Sequence, residues 1–413
     1  MTHRPSNRRA VLGAIPLAVT SLLCTQCASS WSSGATVHAD PRQVAAALGD
    51  PPPRERVALS DLPEPAAPHH IRLCCSFGMD LRVEVLNVEV PLFAVGNVIE
   101  TQDLTSHVYD LPDATLDSEV NGLIYTCRGG WIDTGHVRQN ADQVLYIALT
   151  IAPHLATGAH VEWAGDGATT TIDVDPIPAN ILRREGALGV ALVIAGWATY
   201  RTSIWHEVTT WYDFETIAGF SEKPSAFSPE DLYSNVLGIR LAMGAIDAHD
   251  FGSTEIYQET IAAYINGALD RLEAQPTAIS RAIMAGLDQS WWDSSRRLPE
   301  NLLVTHRGFP PRGNEVHPWR AEDALEQAPA RVALQAAWTE GCGPTRARPL
   351  AIPDDVGGLS AAQVTHLSWM PEGWAATSFP GGVRRVDERE LDELTRGVHE
   401  AMIPVFGEGF DAP

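Results

Sequence analysis

ALGVALVIAGWATYRTSIWHEVTTWYDF, residues 187–214, is followed by ETIAGFSEKPSAF (215–227) and SPEDLYSNVLG (228–238), and the rest of the chain reads as support for this stretch. Gly186–Ile194 is apolar on every side, so a helix here belongs in a core rather than on a surface. Arg201 interrupts the apolar run and leaves it short of a membrane span. His206 and Glu207 then stand side by side in an apolar setting. After the breaker Glu222-Lys223-Pro224, Ser228-Pro229-Glu230-Asp231 reads as an N-cap, a proline at N1 and acids in the first turn of a second helix running to Ala248.

Downstream, helices are expected over Thr254–Glu273, Thr277–Trp292, Glu322–Glu340 and Glu388–Ala401, with a Pro-, Gly- and Arg-rich loop over Ser294–Arg320. Trp369-Met370-Pro371 and Phe379–Gly382 point to irregular structure. Upstream, Ala164–Gly167 makes the turn of a hairpin within Glu162–Pro178. Asp133 is placed to cap a helix carrying Val137, Ala141, Val144, Leu145, Ala148 and Leu149, with His136 in its first turn beside Asn140 and Gln143. Leu123–Cys127 reads as a strand, and Leu81–Leu86 alternates like one, continued by Val88-Glu89-Val90. The expected class is mainly α, a helical body with a small β portion in the N-terminal third.

The chain divides into four segments. Residues 1–39 form a signal peptide, because Arg8-Arg9 precede the apolar run Val11–Cys24 and Val37-His38-Ala39 offers a cleavage site. The arginine pair resembles a twin-arginine signal, and Cys24 and Cys27 raise a lipid anchor as the alternative. Residues 40–70, rich in Pro and Asp and ending in His69-His70, form an extended linker; 71–293 are the helix-rich core, and 294–413 a loop-rich extension packing on it.

The chain has 413 residues, 45% hydrophobic, with a formal net charge of -23. That acidity argues against nucleic acid and against docking on anionic headgroups, leaving a lipid anchor as the one route to a membrane. Of Cys74, Cys75, Cys127 and Cys342, one of the adjacent pair could bridge to Cys127 or Cys342 in an oxidising compartment.

His206-Glu207 is the first chemical candidate. Neighbours on a helix diverge by about 100°, so His206 can face a metal while Glu207 acts as general base on its water. Thr210 stands where a zincin would need its second histidine, so that motif is absent. The remaining ligands are His136 and a carboxylate from Asp133 or Glu222, with zinc as the expected divalent ion. The plain alternative is a His–Glu pair satisfied by core hydrogen bonds. Glu230 and Asp231 serve the helix dipole first, and become ligands only if their helix points its N-terminus at His206. Lys223 is the sole lysine; it could balance Glu207 or Glu222, or serve as base to Ser225.

LCCSFG (Leu73–Gly78), VNGLIYTCRGGWIDTGHVR (Val120–Arg138), GWATYRTSIWHEVTTW (Gly196–Trp211) and EKPSAFSPEDLYSNVLG (Glu222–Gly238) together resemble the bacterial domain-of-unknown-function 4056 family. The resemblance implies an exported bacterial protein and brings no assigned activity or catalytic residue. The residues themselves support a metal-dependent hydrolase in the periplasm or cell envelope, acting on an envelope or small-molecule substrate. The rivals are a non-enzymatic envelope protein with a buried polar network and a metal-free Ser225–Lys223 hydrolase. Protein taken from its native envelope should begin near Asp40, or at a lipidated Cys24 or Cys27; an intact Met1 found there by N-terminal sequencing would refute the export reading.

Overall fold

The computed structural model describes residues 39–49, 65–68, 72, 75–85, 88–91, 98–104, 106–109, 119–165, 167–212, 221–248, 253–373, 375–379 and 384–411. The expectations for the signal segment, for Cys24, Cys27 and Cys74, and for His69-His70 lie outside them. Helices α1 (Pro41–Ala47), α2 (Thr134–Ile151), α3 (Ala179–Glu185), α4 (Ala187–Trp211), α5 (Asp231–Ala248), α6 (Thr254–Arg271), α7 (Thr277–Gly286), α8 (Arg331–Gly341), α9 (Ala361–Val364), α10 (Ala375–Ser378) and α11 (Glu388–Phe406) dominate. The strands are short: β1 (Arg82–Val85), β2 (Val88–Pro91), β3 (Leu123–Thr126), β4 (Gly130–Asp133), β5 (Ala159–Gly165), β6 (Ala168–Val174), β7 (Glu315–Val316), β8 (Leu350–Ala351), β9 (Asp355–Val356), β10 (Leu359–Ser360), β11 (Thr365–Pro371) and β12 (Val386–Asp387). The mainly α class holds. The β portion is not confined to the N-terminal third, because the largest sheet, ordered β12-β11-β6-β5, draws its strands from mid-chain and from near the C-terminus.

Several boundaries differ from expectation for local reasons. Residues 41–47, expected to be extended, form a helix: Asp40 caps it by accepting from the Arg42 N–H, Pro41 opens it, and Val44, Ala47 and Leu48 are buried. The helix expected from Glu322 starts only at Arg331, because Pro329 breaks the periodicity. Val88–Pro91 does not extend β1; it doubles back antiparallel to it, with Val85 opposite Val88. Trp369-Met370-Pro371, expected to be irregular, ends β11, in register against Thr170-Thr169-Ala168 of β6. The disulfide joins Cys127 to Cys342, rather than using Cys74 or Cys75. It links the β3–β4 turn to the end of α8, a pairing that only tertiary packing brings together.

At the centre, α2 and α5 pack on each other and on α4. By length and composition α4 could cross a membrane, but 83% of its most apolar window is buried inside the protein. Trp205 on α4 stacks between Trp369 of β11 (5.5 Å) and Phe379 (5.1 Å), which fastens the sheet to the helix beside His206. The α2–α5 approach depends on Gly238: a Cβ there would stand 2.1 Å from the Val137 carbonyl oxygen. Gly238→Ala should therefore destabilise by about 3 kcal/mol, the upper end for overpacking, and move the start of α5 away from α2. Chemical denaturation checks it; an unmoved midpoint would show that the two helices are not held at contact distance.

Candidate functional site

Three elements bring six ionisable groups together. β4 runs directly into α2, and Asp133 caps that helix by accepting from the Gly135 N–H (2.7 Å) and the His136 N–H (3.4 Å). His136 is thereby fixed in the first turn, as its spacing predicts. α5 begins at Asp231, and Glu230 precedes it; Ser228 does not cap it, since its hydroxyl donates to the Ser225 carbonyl (2.9 Å). The starts of α2 and α5 both face the part of α4 that carries His206 and Glu207. Acids at two helix N-termini are favoured by the backbone dipoles, so Asp133 and Asp231 have a local reason to be where they are. Glu207 has no such reason.

The distances define two clusters that share His136. His136, His206 and Glu207 each offer a donor atom within 4.8 Å of the others, and so do Asp133, His136 and Asp231. The two imidazoles meet edge to face, with centroids 5.9 Å apart. Nδ1 of His136 stands 3.1 Å from Oδ1 of Asp231 and 3.9 Å from Oδ2 of Asp133. The start of α5 brings Asp231 to His136, whereas the condition set for it named His206. Burial is nearly complete, with Asp133 and Asp231 at 0% exposure, Glu207 and Glu230 at 1%, His136 at 5% and His206 at 8%. The histidines are the outer members. A cavity of about 20 Å³ opens on them, lined also by Arg72, Gln139, Asn140, Gln143, Thr202, Ser203 and Asn235. That volume admits a water molecule and little more.

Glu207 is aimed by strained backbone. Its Oε2 accepts the Phe227 N–H at 2.6 Å, and Phe227 sits at φ 57, a left-handed conformation that costs a bulky residue about 1–3 kcal/mol. Arg307 holds that turn open. Its guanidinium donates to the carbonyls of Pro224 (2.7 Å), Ala226 (2.6 Å), Asn301 (3.0 Å) and Val304 (2.9 Å), and the Gly308 N–H donates to the Phe227 carbonyl (2.7 Å). Arg307 is fully buried. Burial pushes its pKa down to about 10, against the pull of Asp231, Glu230 and Glu207. Sequence reasoning misses this residue, because a single Arg in an Arg-rich loop carries no local signal.

The carboxyl groups are displaced in the opposite sense to ordinary ion-paired acids. Burial, reinforced by Asp231, pushes Glu207 up to about 8, although His136, His206 and the Phe227 N–H oppose the shift. Burial and the neighbouring Asp231 also raise Glu230 well above its usual range. Asp133 is raised by burial and by Asp231, against His136 and the N–H groups of Cys75 and Gly135. Among the described residues, Oε1 of Glu207 and Oδ2 of Asp231 have no hydrogen-bond partner, and Oδ1 of Asp231 faces His136 Nδ1. The remaining candidates, Glu222, Lys223 and Ser225, precede Phe227 in the chain. Glu222 is buried just before the turn Lys223–Ser225, the Ser225 hydroxyl donates to the Glu222 carbonyl (2.6 Å), and the Lys223 ammonium sits 4.8 Å from the Trp211 ring centroid.

A family model described as Protein of unknown function (DUF4056) matches residues 62–319, and the chain belongs to that family. No curated protein and no solved structure matches it.

The raised carboxyl groups set a pH dependence for protein stripped of divalent ions. The folded state holds the Glu207 proton up to about 8, whereas the unfolded chain releases it near 4.5. Folding therefore gains from this group below the unfolded value and loses that gain as pH rises through the folded one. Glu207→Gln should flatten the decline and stabilise the stripped protein at pH 8 by a few kcal/mol, on the order implied by such a shift. Urea denaturation in chelator across this range checks it, and profiles that coincide would place the proton elsewhere.

Proposed function

We propose that this DUF4056 member is an exported, metal-dependent hydrolase whose divalent ion, zinc by preference, is held by His136, His206 and Glu207. One observation carries the reading: three buried donors lie within 4.8 Å of one another, and the third belongs to Glu207, whose Oε1 has no hydrogen-bond partner among the described residues. Tetrahedral ligands about 2.0–2.2 Å from one ion stand roughly 3.4 Å apart, so the donors need to close by roughly 1.4 Å at most. In this reading Glu207 is a ligand rather than the base beside the ion. A bound divalent ion supplies Lewis acidity, which lowers the pKa of a water and polarises a carbonyl or phosphoryl oxygen.

The chain's own residues supply the rest. Asp231, 3.1 Å from His136 Nδ1, orients that imidazole and raises its basicity, the usual work of a carboxylate behind a metal-binding histidine. The Phe227 N–H fixes the Glu207 carboxylate, so its open oxygen cannot swing away. The cavity on the histidine side has room for a water molecule beside the two imidazoles. Export is supported by the Cys127–Cys342 disulfide, since such bonds persist in oxidising compartments such as the periplasm.

Elemental analysis of mature protein purified without chelator should find divalent metal, with zinc predominant. His206→Gln and Glu207→Gln should each lower metal retention at least tenfold while the far-ultraviolet circular dichroism stays helical. Wild-type protein that remains metal-free after dialysis against zinc and manganese would defeat the reading and favour a purely structural network.

A further inference from the structure

Resting on the metal-site reading above, we infer that the group this site hydrolyses is an uncharged amide, its carbonyl oxygen entering the cavity beside His136 and His206 and Gln143 hydrogen-bonding the amide. The cavity wall decides the class. Among the described residues that line it, Arg72 is the one arginine or lysine, and its guanidinium is already engaged. It donates to Glu119 (2.6 and 3.1 Å), to Asp142 (2.9 Å) and to the Val108 carbonyl (2.8 Å). Phosphoryl transfer calls for cationic clamps on the moving group, and this wall supplies none that is uncommitted. The net charge of -23 also works against anionic substrates.

What the wall offers instead is neutral and two-sided. Gln143 stands seven residues along α2 from His136, two turns on and on the same face. It lines the cavity at 7% exposure, and its carboxamide makes no hydrogen bond to another described residue, so it has both a donor and an acceptor for a ligand. The more deeply buried Asn140 and Asn235 repeat the pattern. Asn140 Nδ2 donates to the His136 carbonyl (2.9 Å), which can only accept, so that amide's orientation is fixed. The same Nδ2 donates to Asn235 Oδ1 (2.7 Å), which fixes the second. Asn140 Oδ1 is left as an acceptor and Asn235 Nδ2 as a donor, both without a partner among the described residues.

An amide carries the matching set, one C=O and one N–H, on a single neutral unit. An ester lacks the N–H, and a phosphate brings charge. Size agrees, because a cavity of about 20 Å³ takes a water-sized group, and a carbonyl oxygen is the part of an amide that can stand in a water's place. Gln139 is the most exposed of the lining residues, so the remainder of the substrate lies on its side. Hydrolysis adds the hydroxyl of a water to the carbonyl carbon and its hydrogen to the nitrogen, and breaks the C–N bond to give an acid and an amine.

Cobalt(II) loaded in place of zinc gives the unaltered mature chain a visible spectrum that responds to a new ligand at the ion. N-methylacetamide should shift that spectrum saturably, and inorganic phosphate should bind at least tenfold more weakly. Gln143→Leu should weaken the amide at least tenfold with cobalt content and far-ultraviolet circular dichroism unchanged. Phosphate binding tighter than the amide in the unaltered chain would overturn the inference and leave the metal site standing. So would an amide affinity that Gln143→Leu leaves unmoved, or cobalt-loaded protein that responds to neither probe. The comparison of the two probes on the unaltered chain decides the class even if the variant does not fold. Failure to bind cobalt at all would overturn both readings.

Discussion

The structure turns on negative charge held out of water where α2, α4 and α5 meet. Asp133, Glu207, Glu230 and Asp231 are all but inaccessible, and the groups drawn up beside them are the imidazoles of His136 and His206. The same interior contains a second ionic cluster that resolves its charges differently. Arg72 donates to Glu119 at 2.6 Å and to Asp142 at 2.9 Å, while His107 meets Asp142 at 2.8 Å. There burial works against ionisation, but Arg72 and its neighbours outweigh it and hold the Glu119 carboxyl well below the usual carboxylate range. In the first cluster nothing outweighs burial, and three carboxyl groups are pushed up instead. One cluster is a finished salt-bridge network. The other keeps carboxyl groups that burial pushes up and that no arginine side chain pairs with by contact.

Backbone geometry maintains that unbalanced arrangement. Gly238 lets α5 touch the Val137 carbonyl, which brings Asp231 within reach of His136. The Ser234 hydroxyl accepts the Asp133 N–H at 2.9 Å, and Asn140 donates to Asn235 at 2.7 Å, so the two helices are also tied by side chains along their first two turns. Phe227 adopts an unfavourable φ and so places its N–H on Glu207, and the Arg307 guanidinium bridges the Pro224 and Ala226 carbonyls just before it. Strain, a buried cation and close helix contact all converge on aiming carboxylates inward. A scaffold selected for stability alone would not need them.

How much of this is legible in the sequence depends on whether the signal is local. The α4 helix, the Asp133 cap and the first-turn position of His136 follow from apolar content and capping chemistry within a few residues. The pairing of His136 with His206 rests on chemistry rather than pattern, since nothing in the spacing of residues 136 and 206 requires contact. Asp231 reads first as a dipole acid, and it is one; that its helix aims at His136 depends on the α2–α5 crossing. Arg307 lies in a loop without periodicity, and the Cys127–Cys342 bond spans 215 residues, so neither has a local signature. Residues 40–47 mislead for the opposite reason. Their proline-rich surroundings look extended, while Asp40 and Pro41 are a helix start.

The family segment, residues 62–319, holds all six groups of the site and Arg307 as well. Residues C-terminal to it still bear on the chemistry, through the rotation of α4. Arg201 on that helix donates to Asp392 of α11 at 2.6 Å, and Trp205 is stacked between Trp369 and Phe379. Each step along a helix turns by about 100°, so fixing the directions of residues 201 and 205 also fixes those of 206 and 207. A small roll of α4 about its axis would swing His206 away from His136 and at the same time draw Oε2 of Glu207 off the Phe227 N–H. The C-terminal strand and helix therefore brace α4 from outside the cluster. Two constraints divide the work: the aromatic stack on Trp205 sets the angle at which α4 presents its donors, and the close contact at Gly238 sets the distance between the helices that meet them.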